Sequence, residues 1–379
     1  MSFPGRRFAG LLPAAVRFAK GCVMELKSKT VSVGALEQFC QAALRTCGLS
    51  EEHARLTTEV LVTTDTFGVF THGTKGLGGY VRRLRGGGLK AQAAPFVARE
   101  GPAWAIVDGQ SAIGMVTSVF AMDTTVRKAR TAGIAYVGVR NSCHFGAAGY
   151  YALLAAKADM IGVAMANDTP SMAVPGSKQA VLGTNPFAYA VPAGEEDPIF
   201  MDIASSAVAG GKIRIAQEHN QKVPDTWLVD AEGVPTTDPF VYPYKGSLMP
   251  FAGHKGYGFA ALIETLSGVL TAGTAMSQIR GWIDSDPSLP TQHCAAFLAF
   301  NVGAITSLPE FKGRIDTMIR DIRSRPKAKG AERIYLPGEM EWEKRREALA
   351  RGIAMPQGVL ASLRALAEDL GMKAAWLSD

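Results

Sequence analysis

The amino-acid sequence predicts an α/β protein with a mixed sheet and with helices at both ends of the chain. Strands are predicted where short apolar runs, rich in β-branched or aromatic residues, are closed by Gly, Pro, Asn or Asp. Six such runs are WAIVDG (104–109), IAYVGVR (134–140), MIGVAMAN (160–167), FAYAVPA (187–193), IFMDIAS (199–205) and AAFLAFNV (295–302). Several of these runs have no helical pattern between them, so an all-parallel sheet is not expected.

Two helices are predicted ahead of the first strand. Apolar residues from Leu36 to Leu44 recur at helical spacing, and Gly48 is well placed to end that helix. Ser50 can cap the second helix, and the two glutamates that follow it suit the positive end of the helix dipole. The apolar pattern of the second helix predicts an end near Gly68.

Further helices are predicted between and after the strands. Residues 114–131 and 256–271 have apolar faces, a helical pattern returns after Pro309, and a last helix is predicted over residues 359–370. We expect the terminal helices to pack with the first two, so that both chain ends build one helical domain with a cleft beside it. The predicted organisation is an N-terminal arm (1–28), a helical domain (29–95 and 308–379) and an α/β domain (96–307).

The composition is that of a soluble, folded protein, with 47% hydrophobic and 20% charged residues. Much of the formal net charge of +6 comes from basic residues at positions 6, 7, 17, 20, 27 and 29, so the rest of the chain is nearly neutral. No basic helix with interleaved aromatic residues is present, and nucleic acid is not expected as a partner. No apolar run approaches the roughly 18 residues needed to cross a bilayer, so no membrane span is expected.

The cysteines favour a reducing compartment. There are five, scattered along the chain without a CxxC pair, so a disulfide framework is not expected and the predicted location is the cytoplasm. Residues 1–23 carry Arg and Lys but no acidic residue, a pattern typical of a transit segment, of a loose arm, or of a start placed upstream of Met24. We favour the latter two interpretations.

Three of the six histidines stand out by their surroundings. His72, His144 and His254 are each flanked by glycine at an element boundary, in FTHGTKG, SCHFGAAG and FAGHKGYG. Glycine beside a polar side chain lets backbone approach a ligand closely, and strand-to-helix junctions are where α/β folds place their sites. The histidines at positions 53, 219 and 293 are predicted to be surface or structural residues.

Motifs for metal, hydrolase and Rossmann-type dinucleotide sites are missing from the sequence. No HxH or HxxxH pair accompanies the three histidines, so no metal site is predicted. There is no GxSxG, and GGGLK (86–90) does not follow a strand pattern. The residues alone therefore predict an enzyme with histidine acid–base chemistry and with Lys255 as a cationic anchor.

Several motifs in a fixed order carry a resemblance to a known family. They are THG (71–73) followed by Tyr80, NSCHFGAAGY (141–150), GTNPFAYAVP (183–192), MDIASS (201–206) with GK (211–212), VPDTWLVDAEGVPTTDP (223–239) and GHKGYGFAALIE (253–264). Together they resemble the malate/L-lactate/ureidoglycolate dehydrogenase family, the NAD(P)-dependent 2-oxo-acid reductases that do not use a Rossmann fold. The resemblance spans residues 29–370.

The resemblance implies a homodimer with a non-Rossmann α/β cofactor domain, which binds NAD or NADP, and a small 2-oxo or 2-hydroxy acid as the substrate. His144 and His72 match residues assigned as the proton-transferring group in different members, and the choice between them stays open. A histidine suits this reaction because hydride arrival places negative charge on the carbonyl oxygen. Tyr80 is implied on the substrate side, and cofactor contacts are implied for Asp168, Asp202, Ile203, Ala204, His254, Lys255, Gly338 and Glu339.

One position departs from the family pattern. Members commonly have an arginine four residues after the SHG histidine, where it can clamp a carboxylate, but this chain has Gly76 there. Lys75 beside it is a candidate substrate contact that supplies a point charge and not a fork. The departure motivates two alternatives, which are reduction of a cyclic imino-acid carboxylate and a non-catalytic paralogue that only binds nucleotide.

Overall fold

The structure, a computed structural model, describes residues 28–377. The predicted arm lies outside the described residues up to position 27, as does Cys22. The helices are α1 Val33–Thr46, α2 Glu51–Thr66, α3 Leu77–Gly86, α4 Gly114–Ala132, α5 Ala148–Lys157, α6 Gly210–Glu218, α7 His254–Glu264, α8 Val302–Ile305, α9 Leu308–Ser324, α10 Glu339–Arg351 and α11 Gln357–Leu370. The strands are β1 Ser28–Val31, β2 Phe96–Gly101, β3 Trp104–Asp108, β4 Ile134–Ser142, β5 Met160–Ala166, β6 Met172–Ala173, β7 Ala180–Leu182, β8 Phe187–Val191, β9 Ile199–Ile203, β10 Leu228–Val229, β11 Pro235–Thr236, β12 Ser247–Leu248, β13 His293–Asn301 and β14 Ile353–Pro356.

A seven-stranded sheet forms the centre of the molecule, in the order β2-β3-β4-β13-β5-β8-β9. The β3–β4 pair is parallel and the other neighbouring pairs are antiparallel, which confirms the predicted mixed α/β class. Val137 and Val139 of β4 join the core shared with α4, while Tyr136 packs with residues of α7 on the opposite face. The sheet is thus covered on both faces, which explains why its strands are continuous apolar runs.

The first two helices begin where the sequence predicts. The Ser32 hydroxyl accepts the backbone N–H of Ala35 at 3.2 Å, and the Ser50 hydroxyl accepts that of His53 at 3.1 Å. Each cap satisfies a backbone donor that has no partner within the helix. Helix α2 then runs to Thr66 and delivers the chain to the THG segment.

The two chain ends meet, because β1 and β14 pair as an antiparallel ribbon. Helix α11 contacts α1 and α3, and α10 contacts α2, so these two terminal helices lie against helices from the start of the chain. The expectation that the terminal helices pack with the first two does not hold for helix α9. Its Ile319 packs with Ala193 and Ile199, next to the β8–β9 edge of the sheet, because its apolar stripe matches that surface.

A second sheet, β11-β10-β12-β6-β7, consists of very short strands that the sequence pattern did not reveal. It includes the VPDTWLVDAEGVPTTDP segment. There the Asp230 carboxylate accepts the N–H groups of Glu232 and Val234, and Asp238 caps the turn at Phe240, which makes both aspartates turn formers. Within residues 28–377, no helix combines the length and apolar character needed to cross a membrane.

Candidate active site

His144 lies in the turn between the end of β4 and the start of α5. The first residue of α4, Gly114, sits against this turn so closely that a Cβ atom there would lie 2.4 Å from the carbonyl oxygen of His144. Gly146 adopts a positive φ of 80°, which lets the chain bend from strand to helix within a few residues. The glycines around His144 therefore let two helices begin beside the imidazole.

The His144 imidazole is surrounded by rings. The Tyr80 hydroxyl lies 2.6 Å from Nδ1, and the Trp282 indole stacks on the imidazole with 4.3 Å between centroids. The His72 ring stacks at 5.6 Å. Because the Gly146 N–H is also directed at Nδ1, at 3.4 Å, the other nitrogen, Nε2, is the one available to a substrate.

The surroundings of His144 make it a neutral imidazole. Burial and then the charge of His72 lower its pKa to about 3, against the opposing effect of the Asp168 carboxylate, and His293 acts in the same direction as His72. Burial raises the pKa of Tyr80, so its phenol keeps its proton. A phenol can donate to Nδ1 or accept from it, and Tyr80 can therefore serve either protonation state of His144.

His72 lies in the turn that joins α2 to α3, and a buried carboxylate holds this turn. Asp65 accepts the backbone N–H of Thr74 at 3.1 Å and its hydroxyl at 2.5 Å. Burial raises the pKa of Asp65 to about 7, against these two hydrogen bonds. The His72 ring itself is partly exposed, and its Nδ1 lies 2.9 Å from the Thr71 hydroxyl.

His293 and Asp168 form a pair beside His144. The Nε2 atom of His293 lies 3.1 Å from the Asp168 carboxylate, and the two histidine rings meet edge to face at 6.5 Å. Although burial raises it, hydrogen bonding to His293 keeps the pKa of Asp168 below its usual range. Of the two predicted settings of His293, the surface one is wrong, because the residue is buried and paired with Asp168 next to a register shift at the start of β13.

The segment that precedes β13 supplies Trp282, which the sequence analysis missed. This segment is organised by Arg83 of α3, whose side chain is 1% exposed. Its guanidinium donates to the carbonyl oxygens of Trp282 at 2.5 Å and Gly281 at 2.7 Å, and to the Ser285 hydroxyl at 2.7 Å. Further bonds reach the carbonyl oxygens of Leu289, Ser285 and Asp286. In the sequence, the glycines at positions 76 and 79 are the feature that could have indicated an aromatic ring here, because they are one turn apart and leave room for it.

The residues implied as cofactor contacts fall into separate places. Asp202, Ile203 and Ala204 lie at the end of β9, and the next carbonyl, that of Ser205, accepts the Phe251 N–H at 3.0 Å. This contact brings the end of β9 beside the segment that leads into α7, whose first two residues, His254 and Lys255, are exposed. The Asp202 carboxylate also accepts the Gly149 N–H at 2.7 Å, at the start of α5.

Gly338 and Glu339 lie at the start of α10, where protein contacts occupy them. A Cβ atom at Gly338 would lie 2.4 Å from the Phe200 ring, and Glu339 accepts the Leu336 N–H at 2.8 Å and pairs with Arg323 at 3.2 Å. Lys75 is exposed on the turn after His72. The part of the chain that the structure describes contains no group of three His, Cys, Asp or Glu side chains placed to hold a metal ion.

A partly buried imidazole whose Nδ1 faces a phenol, together with a helix that begins with an exposed lysine, suits acid–base chemistry on a small anionic ligand. A family model described as malate/L-lactate dehydrogenase matches residues 31–364, and the chain belongs to that family. It is accordingly an oxidoreductase that acts on CH–OH groups.

Individual relatives agree with this assignment. The malate dehydrogenase of Pyrococcus abyssi is 35% identical over 345 residues, which cover 89% of this chain and 94% of the relative. The solved structure of malate dehydrogenase from Pyrococcus horikoshii OT3 is similar with a TM-score of 0.84 at 34% identity, over 94% of this chain and 99% of that one. The structure of delta1-piperideine-2-carboxylate reductase from Pseudomonas syringae pvar. tomato gives a TM-score of 0.79 at 28% identity, over 89% and 100% of the two chains.

Proposed function

We propose that the protein interconverts a 2-oxo acid and its 2-hydroxy acid with NAD or NADP, and that His144 is the principal proton-transferring group. The observation that carries the proposal is the isolated Nε2 of His144. Its ring is held by the Tyr80 hydroxyl and by stacking on Trp282, whereas the hydrogen-bond partner of the His72 ring is the hydroxyl of the exposed Thr71. Proton transfer needs a group held at hydrogen-bond distance from the reacting oxygen, and His144 is the better held of the two.

His144 is neutral at pH 7, which is the state that can accept a hydroxyl proton. For this step the neutral imidazole carries its hydrogen on Nδ1 and donates it to the Tyr80 oxygen, so that the unprotonated Nε2 takes the hydroxyl proton as the hydride leaves the carbon. In the reverse direction the imidazolium returns that proton to the oxygen as negative charge develops there. Proton transfer by one such group contributes roughly 100- to 10,000-fold in rate.

The nicotinamide cofactor supplies the hydride when bound, and we place it along the end of β9 and the start of α7. Support comes from the backbone contact between Ser205 and Phe251, and from the exposed Lys255 at a helix N-terminus, a setting that favours anionic phosphate. Asp168, Asp202, Ile203, Ala204 and His254 belong to the same proposal. Gly338 and Glu339 are also proposed as cofactor contacts, but with less support, since both already contact other residues of the protein.

A second candidate is reduction of a cyclic imino-acid carboxylate. It is favoured by Gly76, which stands where family members commonly have an arginine, and by the similarity to a piperideine-2-carboxylate reductase. The acid–base role of His144 is the same in both candidates, because the imine carbon also accepts hydride while its nitrogen takes a proton.

A homodimer belongs to the proposal as well. The side chains of Leu262, Val269 and Leu270, on α7 and the turn after it, are 52%, 62% and 55% exposed. An apolar face of this kind favours a protein–protein contact. Light scattering of the purified protein tests it, and a mass near 80 kDa is expected for two chains of 40.2 kDa. Four cysteines in the described part of the chain are free thiols, which supports the proposed cytoplasmic location.

The test of the catalytic proposal is the loss of NADH and NADPH absorbance with purified protein and a panel of 2-oxo acids and cyclic imino acids. Turnover with at least one member is expected, and the preferred compound decides between the two candidates. Binding of the reduced cofactor, measured by its fluorescence, with no turnover of any compound would contradict the proposal and favour the non-catalytic paralogue.

A further inference from the structure

Trp282 lies directly against the histidine that we propose as the proton-transferring group. Its indole stacks on the His144 imidazole at 4.3 Å with 12° between the ring planes, and on Tyr80 at 4.9 Å with 18°. A reacting oxygen has to come within about 3 Å of Nε2 for proton transfer. Trp282 is itself partly exposed. We therefore expect a substrate held at Nε2 to lie close to the partly exposed indole that covers one face of the same imidazole.

Two glycines of one helical turn make room for the indole. A Cβ atom at Gly79 would lie 2.8 Å from the ring, and one at Gly76 would lie 3.2 Å from it. Any side chain at Gly79 would push the ring aside, because real Cβ atoms do not approach so closely. Gly78, between them, has no atom within 4 Å of its Cβ position. The space beside the THG turn is thus filled by an aromatic ring from another part of the chain.

The ring is fixed in this place by its backbone. Arg83 donates to the carbonyl oxygen of Trp282 and to that of the preceding residue, Gly281, from a buried position one turn after Gly79. Charged hydrogen bonds of this kind, shielded from water, hold a loop in one conformation. The backbone of Trp282 is therefore held in one position, and its side chain forms a defined part of the site.

The charges around His144 favour a substrate with one carboxylate. Three titratable groups influence the pKa of His144 through their charges, and these are His72, Asp168 and His293. The two histidines can meet the carboxylate that every 2-oxo acid carries. Asp168, which is held as a carboxylate, repels a second anion, and so does the negative face of an indole ring. Arg83 is engaged with carbonyl oxygens.

We infer that Trp282 is a specificity-determining residue, and that it selects 2-oxo acids with an apolar side chain over dicarboxylic 2-oxo acids. The inference rests on the proposed function and names its substrate class. Two features support this inference: the Trp282 indole stacked on His144, and the Asp168 carboxylate in the same site. An apolar side chain gains by packing on the indole, whereas a second carboxylate beside the indole loses its water and lies on the same site as the Asp168 carboxylate.

The test measures binding separately from turnover. Calorimetric titrations of the protein saturated with NAD⁺ or NADP⁺ use 2-oxo-4-methylpentanoate and oxaloacetate, which cannot be reduced under these conditions. The wild type is expected to bind the branched acid at least tenfold more tightly than oxaloacetate. Trp282→Ala is expected to reduce this ratio about tenfold, the effect of one lost apolar contact surface.

A matched pair of variants keeps the test valid if Trp282→Ala fails to fold. Gly79→Ala pushes the indole aside and is expected to reduce the ratio as Trp282→Ala does, while Gly78→Ala, one residue away on the same helix, is expected to leave it unchanged. Tighter binding of oxaloacetate by the wild type, binding of neither acid, or equal ratios in Gly79→Ala and Gly78→Ala would each overturn the inference.

Turnover assays with NADH and NADPH on the same samples separate this inference from the proposed function. The expected binding preference without any hydride transfer contradicts the proposed function and leaves the role of Trp282 standing. Faster reduction of oxaloacetate than of 2-oxo-4-methylpentanoate supports the proposed function and overturns the role of Trp282.

Discussion

The two histidine turns of the site differ in how they are held. The His144 turn is enclosed by protein, with a tyrosine on Nδ1, an indole on one face and the start of α4 against its carbonyl oxygen. The His72 turn depends chiefly on one buried carboxylate, Asp65, and the hydrogen-bond partner of its ring is the hydroxyl of the exposed Thr71. The enclosed histidine has a pKa near 3 because its charged form would lose water.

This difference teaches that the same residue type acquires its role from its surroundings. His144 is pre-organised, since its orientation and protonation state are set before a ligand arrives. The turn that carries His72 is instead held through Asp65, a group whose pKa burial raises to about 7.

Replacing Arg83, which holds the segment that carries Trp282, is expected to have the largest effect on stability. Arg83→Met removes a buried guanidinium that donates to carbonyl oxygens of five residues, so the free energy of unfolding should fall by about 4 kcal/mol. Arg82→Met is the matched control, because Arg82 is exposed and gives one bond to the carbonyl oxygen of Ile283. Arg82→Met should lower the free energy of unfolding by less than about 1 kcal/mol. Denaturant unfolding of both variants checks this, and equal losses would show that the loop does not depend on Arg83.

Replacing the support of the His72 turn should change how stability depends on pH. The pKa of Asp65 is raised to about 7 in the folded state from 3.8, so its stabilising contribution is present at low pH and is lost as pH rises through 7. Relative to Asp65→Asn, the wild type should therefore lose about 3 kcal/mol between pH 5 and pH 8. Urea unfolding at several pH values measures this difference. A constant difference between the two proteins would refute the assigned pKa.

Removing one hydrogen bond from His144 should have a smaller effect, confined to catalysis. Tyr80→Phe deletes the hydroxyl at Nδ1 and keeps the ring stacked on Trp282, so kcat should fall about tenfold, the worth of one hydrogen bond. Tyr150→Phe is the control, because it deletes a bond of similar length to Glu59 away from the imidazole. Steady-state kinetics of the two variants should differ. An unchanged kcat in Tyr80→Phe would contradict a role of the Tyr80 hydroxyl in catalysis by His144.

The smallest effect is expected at the far end of the helix that carries the His72 turn. Ser50→Ala removes the cap of α2 and should cost about 1 kcal/mol of stability, as seen by denaturant unfolding. The kcat should stay unchanged, because the turn is held by Asp65, four turns away along α2. A loss of kcat in Ser50→Ala would show that the His72 turn is less independent of its helix than the structure indicates.

The sequence predicts those parts of the fold and site that depend on local pattern. Strand β4, the turn at His144 and helix α2 follow from apolar periodicity, caps and glycine placement. His293 and Trp282 could not be found in this way. They reach the site because β13 pairs with β4, and that pairing joins residues about 150 positions apart in the chain. Local sequence contains no information on such a register beyond the apolar character of the two strands.

We propose that His144, and not His72, moves the proton. This proposal is tested most directly by single-turnover reduction of the preferred substrate by NADH or NADPH in His144→Gln and His72→Gln, with cofactor affinity measured alongside. The account predicts that His144→Gln slows hydride transfer roughly 100- to 10,000-fold with cofactor affinity unchanged, while His72→Gln slows it less than about tenfold. A larger loss in His72→Gln, or a rate near that of the wild type in His144→Gln, would contradict it.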